Sequence, residues 1–240
     1  MTLEAAGVTL SDARGIVSQL AIDTASSPPW IAALAAVRTA LADMGGKGTV
    51  LDMTISESYT HLALLHARSA ALEADEIETI ARHHFRPMLG ETAGQYEYRM
   101  VALAQPESAP ALLCCAIDAH ALRDMQQAAS EAGVTIASLC PRIVAFETAH
   151  ADELSRFTGH LVLADTQTTL FITVRSGEWL QVASRRIDTT PDWLATTLDQ
   201  NDRLTAPGAR SVWLAGSLAK AELTGWQIKR TTDFPVRMPA

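Results

Sequence analysis

Apolar positions along this chain recur with two different periods, and the changes of period mark its elements. Residues 159–187 hold three short strand-like runs: a continuous apolar stretch at 161–164, a β-branched and aromatic stretch at 170–174, and 179–184 after a Ser176-Gly177 turn. They predict an antiparallel three-strand meander. Upstream, Trp30, Leu34, Val37 and Leu41 recur at helical spacing after Ser27, Pro28 and Pro29, a capping residue and two prolines suited to a first turn, and Gly45-Gly46 stops the run. The apolar stripe of this helix either covers the sheet that follows or docks a partner.

Residues 49–55 and 59–66 read as two strands joined by Ser56-Glu57-Ser58, a hairpin opening the first half as the meander opens the second. An acidic turn of Glu73, Asp75 and Glu76 precedes Ile77, Ile80, Ala81 and Phe85, predicting a helix of about four turns closed by Pro87 and Gly90. Residues 97–104 and 111–117 form a further predicted hairpin around 105–108. Asp118 caps a helix to Ala132 with Gly133 as its stop, 134–139 is a strand, and Pro141 starts a short helix. After the meander, Pro191 and Asp192 open a helix through Leu198, 201–208 is loop, and 211–215 and 226–229 are strands. Residues 1–27 show no sustained period and are expected to be a loose lead with one short strand near 15–22. The order of elements predicts an α/β protein with mixed sheets and flanking helices in two lobes. Its divisions are a lead with an amphipathic helix at 1–46, a first lobe at 47–158 and a reduced second lobe at 159–240.

Composition narrows function by exclusion. A net charge of −8 over 240 residues gives no basic surface for nucleic acid or anionic lipid. The longest apolar runs, 31–37 and 109–117, fall short of the roughly 20 residues of a membrane span, and the first residues lack a secretory signal, so the expectation is a cytoplasmic protein without direct membrane insertion. The three cysteines, Cys114, Cys115 and Cys140, form no CxxC pair and read as small buried apolar residues. Neither the scattered histidines, His61, His66, His83, His84, His120, His150 and His160, nor any GxSxG or HExxH motif assembles a metal or nucleophile site. Arg185 and Arg186 end the third meander strand, where they discourage strand addition.

Three stretches carry a resemblance. Residues 112–118, then Asp124, Ala128, Ala132-Gly133-Val134, Cys140-Pro141 and Ala145-Phe146 are similar to the insert subdomain of the PilM proteins of type IV pili and of the cytoplasmic domain of GspL in type II secretion. Residues 161–186, with Asp165 and the Ser176-Gly177 turn, resemble the opening of their second lobe, and 212–217 stand where that family has a strand and glycine turn near adenosine. The resemblance covers residues 48–230 and implies an actin-like, ribonuclease-H-like fold, with the insert at about 96–144. It also implies an assembly component of a type IV pilus or type II secretion-like machine, bound to the cytoplasmic segment of an inner-membrane PilN-like or GspM-like protein. The secretion ATPase is a further implied partner, while the sequence leaves both a monomer and a homodimer open. Tyr98 and Leu113, on strands of the insert, are the candidate partner contacts, or else core.

The same resemblance assigns Asp52 and Asp165 to the two phosphate loops of an actin-like site and Gly216 to the adenosine turn. Such loops need glycines so that backbone amides reach phosphate, and here Met53, Ser56, Glu57 and Gln167 stand in that space. The expectation is therefore a scaffold without cofactor, metal or catalytic residue, with Asp52, Asp165 and Gly216 as vestiges; the alternative is an actin-like ATPase or sugar-kinase relative.

Overall fold

The computed structural model describes residues 1–12, 15–23, 29–44, 48–66, 73–103, 111–188, 190, 192–205 and 210–231. Its first lobe opens with β1 (Thr2–Glu4), β2 (Gly7–Asp12) and β3 (Gly15–Ala21), followed by α1 (Pro29–Met44) and β4 (Thr49–Ile55). Next come β5 (Thr60–His66), α2 (Ala74–Leu89), a 3-10 turn (Gly90–Gln95), β6 (Tyr96–Ala102), β7 (Ala111–Asp118), α3 (Ala119–Glu131) and β8 (Val134–Pro141). Then α4 (Arg142–Ala149) and α5 (Ala151–Leu154) lead to the second lobe: β9 (Gly159–Ala164), β10 (Thr168–Arg175), β11 (Glu178–Arg186), α6 (Trp193–Thr205), β12 (Ser211–Gly216) and β13 (Gln227–Thr231).

Two five-stranded sheets share one topology. The first runs β3-β2-β1-β4-β8 and the second β11-β10-β9-β12-β13, each an antiparallel meander extended by two parallel strands after a helix. The repeat extends to single hydrogen bonds. Ser56 N donates to Leu3 O at 2.8 Å as Ser217 N does to Ala164 O at 3.0 Å, and Ile22 N donates to Ala6 O at 2.9 Å as Ile187 N does to Gln167 O at 2.8 Å. A third sheet, β5-β7-β6, is fully antiparallel and inserted between β4 and α3.

Each sheet is placed by what covers it. The first packs Leu3, Val8, Leu10, Met53 and Ile55 against α1 and α3, so the stripe Val37–Leu41 of α1 covers the sheet. In the third sheet Ala63, Cys114 and Ala116 face Phe85 of α2. The second lobe's central strands are buried on both faces: Leu161, Leu163 and Trp213 meet α4 together with Leu62 and Leu113, while Val162, Val212 and Leu214 meet α6. That double burial is why 161–164 reads as a continuous apolar run rather than an alternating one.

Most predicted elements are present, and four readings change. Residues 1–12 and 15–21 are not a loose lead: three strands there complete the first sheet, and β1 pairs with β4 in parallel. Strands β4 and β5 do not form a hairpin, because Ser56-Glu57-Ser58 carries the chain from one sheet to another. The predicted 96–144 unit is divided, since β6 and β7 pair with β5 whereas β8 joins β4. Residues 201–205 belong to α6 rather than to a loop. The expected turns at 45–46 and 105–108, and the cap at Ser27-Pro28, lie outside the described residues.

Candidate functional site

Where the two matched sheets meet, the ends of β1, β4 and β9 bring together polar side chains that are buried. Asp165, 3 % exposed, directly follows β9 and accepts hydrogen bonds from Ser56 Oγ, from Ser58 Oγ at 2.7 Å and from the backbone amides of Gln167 and Thr168, both at 2.6 Å. Burial acts to raise its pKa, but the bonds from Ser56, Ser58 and the two amides outweigh it and hold the carboxyl below its ordinary 3.8. Asp165 is thus an ionised carboxylate.

Beside it lies Arg142, the first residue of α4 and fully buried. Its Nε and Nη2 donate to Glu57 Oε2 at 3.0 and 2.6 Å, and Nη1 to Glu4 Oε1 at 3.3 Å. The same Nη1 reaches Ala164 O at 3.4 Å, so one guanidinium spans both lobes. Desolvation alone would lower its pKa; Glu57, Asp165 and Glu4 more than reverse that and raise it. The site also raises the Tyr59 hydroxyl to about 12, through burial and then the charge of Asp165.

The matched hydrogen bonds identify the first-lobe counterpart of Asp165. Glu4 follows Leu3 as Asp165 follows Ala164, so Glu4, not Asp52, holds the equivalent place. Asp52 is exposed on β4 and accepts from Ser138 Oγ at 2.5 Å; it does not meet Asp165. Gly216 ends β12 with a φ of 78° and hydrogen-bond register to Ala164, a turn that favours glycine. An actin-like fold implies a nucleotide, and these residues do not fit one: the amides of Gln167 and Thr168, which a phosphate would need, already serve the carboxylate of Asp165, and Glu57 and Arg142 fill the space between the lobes.

Two concave surfaces flank this junction. The first is an apolar groove of about 240 Å³ lined by Ile55, Thr60, Val101, Leu113, Pro141 and Val144, with Glu97 and Arg99 among its polar residues. Cys115 and Cys140 also line it. Burial pushes the Cys115 thiol up to about 12 and raises that of Cys140, so both stay protonated and offer no nucleophile. Leu113 is 2 % exposed and belongs to the core beneath the groove. Tyr98 lies on the opposite face of its sheet, 5 % exposed, stacked at 5.8 Å on Phe85 and donating to Ala93 O at 2.6 Å; it is a core residue there. The second surface is a cleft between β5 and β11, about 310 Å³, reached by Trp30, Tyr59, His61, Tyr96, Arg185 and Arg186.

Among the described residues no group of three or more His, Cys, Asp and Glu could hold a metal ion. Nor is any helix there long and apolar enough to cross a membrane.

Solved structures share this arrangement of sheets along nearly the whole chain. The cytoplasmic domain of EpsL, an inner-membrane component of the type II secretion system of Vibrio cholerae, superimposes with a TM-score of 0.60 at 11% identity, over 98% of this chain and 89% of that one. A Bacteroides thetaiotaomicron protein with an actin-like ATPase fold and unknown function gives 0.59 at 11%, over 91% and 81%. The chain has the actin-like fold. In that fold the PilM–PilN type IV pilus biogenesis complex is a further match, with a TM-score of 0.61 at 12% identity over 95% of this chain and 86% of that one. No protein-family model and no curated protein matches the sequence.

Sequence reasoning placed Asp165 at a strand-end turn of this actin-like core but missed Glu4 and Arg142. For Arg142 a signal exists. A lone arginine stands between Pro141 and the apolar Ile143-Val144-Ala145-Phe146, at the start of a helix that has to be buried.

Proposed function

We propose that the protein is a non-catalytic assembly platform of a type IV pilus or type II secretion-like machine. It holds the cytoplasmic segment of an inner-membrane protein of the PilN or GspM kind, and works at the cytoplasmic face of that membrane through this partner. Contacts with the secretion ATPase and with a second copy belong to the same reading.

The observation that carries it is the apolar groove beside Leu113. It lies where the third sheet meets α3, β8 and α4, and its wall of aliphatic residues suits apolar anchors of a short peptide, whose ordering entropy such burial offsets. The likeness to the PilM–PilN complex and to EpsL supports the choice of partner. The side chains filling the space between the lobes favour a scaffold over the alternative of an ATPase.

The test has two arms. Membrane proteins co-purifying with the chain are identified, and a synthetic peptide from the cytoplasmic segment of one is titrated against the wild type and Val101→Glu. Val101 lines the groove yet is 42 % exposed, so the substitution spares the core. A loss of about tenfold or more in affinity is expected, from one buried apolar contact replaced by a charge. An unchanged affinity places the peptide elsewhere, and failure of any membrane protein to co-purify sinks the platform reading. For the alternative, Mg-ATP at a hundred times its Kd would add about 2.7 kcal/mol of stability, so a melting temperature that rises saturably with ATP would favour an ATPase.

A further inference from the structure

The cleft between β5 and β11 has features that neither the groove nor the lobe junction uses. Strand β5 is an edge of the third sheet and β11 an edge of the second lobe's sheet, so strand edges flank the cleft on both sides. Its walls are aromatic: the Trp30 and Tyr59 rings lie 4.7 Å apart and those of His61 and Tyr96 5.5 Å apart. Arg185 and Arg186 line it, exposed and in no salt bridge with a described residue. Two carboxylates also line it, and both are engaged: Glu57, 4 % exposed, accepts from Arg142 at Oε2 while its Oε1 is buried without a hydrogen-bond partner among the described residues, and Asp118 accepts from the amides of His120 and Ala121.

A ligand of this cleft must suit guanidinium groups, a ring wall and a slot between two strand edges. A metal or ammonium ion would meet the arginines. An acidic polypeptide in extended form meets all three demands: its backbone lies between the edges, an Asp or Glu side chain pairs with Arg185 or Arg186, and an apolar side chain lies on the ring of Trp30.

We propose that this cleft docks an acidic, extended segment of a partner protein. Charge complementarity is local: a chain of net charge −8 repels acidic partners at long range, so recognition depends on the two arginines within a Debye length of about 8 Å. The site is independent of the apolar groove.

The full chain is titrated with two fluorescein-labelled ten-residue peptides, one alternating Asp and Val, the other alternating Lys and Val, at low and high salt. The acidic peptide is expected to bind, to weaken with salt, and to lose about tenfold or more in affinity in Arg185→Ala/Arg186→Ala. Trp30→Ala should weaken it with the salt dependence kept, and Val101→Glu should leave it unchanged, separating this cleft from the groove. Both arginines are exposed, so the double variant keeps its fold, checked by its melting temperature. Equal affinity for the lysine peptide overturns the proposal, as does undiminished binding by the double variant. Binding of pyrophosphate or ATP there without any peptide affinity overturns it too, since the cleft would then be a simple anion site.

Discussion

Replacing Arg142 with alanine removes the guanidinium that spans the lobes and leaves Glu57 with neither oxygen paired. The Glu57 side chain is 1 % exposed and that of Arg142 fully buried, so no solvent can take over the lost contacts without rearrangement. Breaking such a pair from one side costs about 3–5 kcal/mol, because an uncompensated charge stays in a low-dielectric site. Asp165 nearby adds a second negative charge that the guanidinium also balances. The bond to Glu4 adds little, since that carboxylate is 40 % exposed and water replaces the arginine there. Against a total stability of roughly 5–15 kcal/mol the loss is large, and it should lower the melting temperature by roughly 6–20 °C. Urea titration of the wild type, Arg142→Ala, Glu57→Leu and the pair Arg142→Met/Glu57→Leu measures it. Each single change should be costly, while the apolar pair should recover most of the loss, since well-packed apolar side chains replace buried ion pairs at little or no cost. A cost below about 1 kcal/mol for Arg142→Ala, or an apolar pair as unstable as the sum of its single changes, would refute the reasoning.

Acid should destabilise the second lobe through His160, which is fully buried, 3.2 Å from Thr173 Oγ1 and 3.5 Å from Asp202 Oδ1. Burial lowers its pKa below 6.5 despite Asp202, so the unfolded chain binds the proton more readily; stability is full above 6.5 and falls as pH drops below it. His160→Gln should flatten that slope in urea titrations at a series of pH values; an equal slope in the variant would contradict the assignment. Gly177→Ala should cost roughly 1–3 kcal/mol from backbone strain alone. Its φ is +82° and a Cβ would lie 2.4 Å from Ser155 O, so a melting temperature like that of the wild type would mean the turn rearranges freely.

Local signals proved reliable and distant pairings did not. Helix α3 was legible because Asp118 accepts from the amides of His120 and Ala121 and Gly133 takes a φ of 71°, both properties of neighbouring residues. The meander β9–β11 was legible through its turns. Strand β2 held a readable alternation, Val8 and Leu10 inward with Thr9 between, hidden by its shortness and by the three-residue β1. The false hairpin of β4 and β5 arose because periodicity gives a strand's faces and not its partner. Of the candidate site, Asp165 could be read from its place at a strand end. Glu4 and Glu57 could not be assigned to Arg142, because 138 and 85 residues separate them along the chain and only the folded lobes bring the charges together. Tyr98 and Leu113 were legible as strand residues, but which sheet face each would occupy depended on α2 and α4.

The matched sheets differ in one way that bears on the order in which the chain folds. In the first, Thr49 must find Val134 across the whole inserted sheet and α3, whereas in the second Ser211 meets Gln227 after a short turn. Each doubling of a closed loop costs about 0.6 kcal/mol of chain entropy, and more than two doublings separate these closures. The second lobe is therefore expected to nucleate more readily and to offer α4 a formed apolar face, with the contact of Arg142 to Glu57 following. Pulse-labelled hydrogen exchange should show the amides of β9 and β12 protected before those of β4 and β8; protection in the reverse order would contradict this sequence of events.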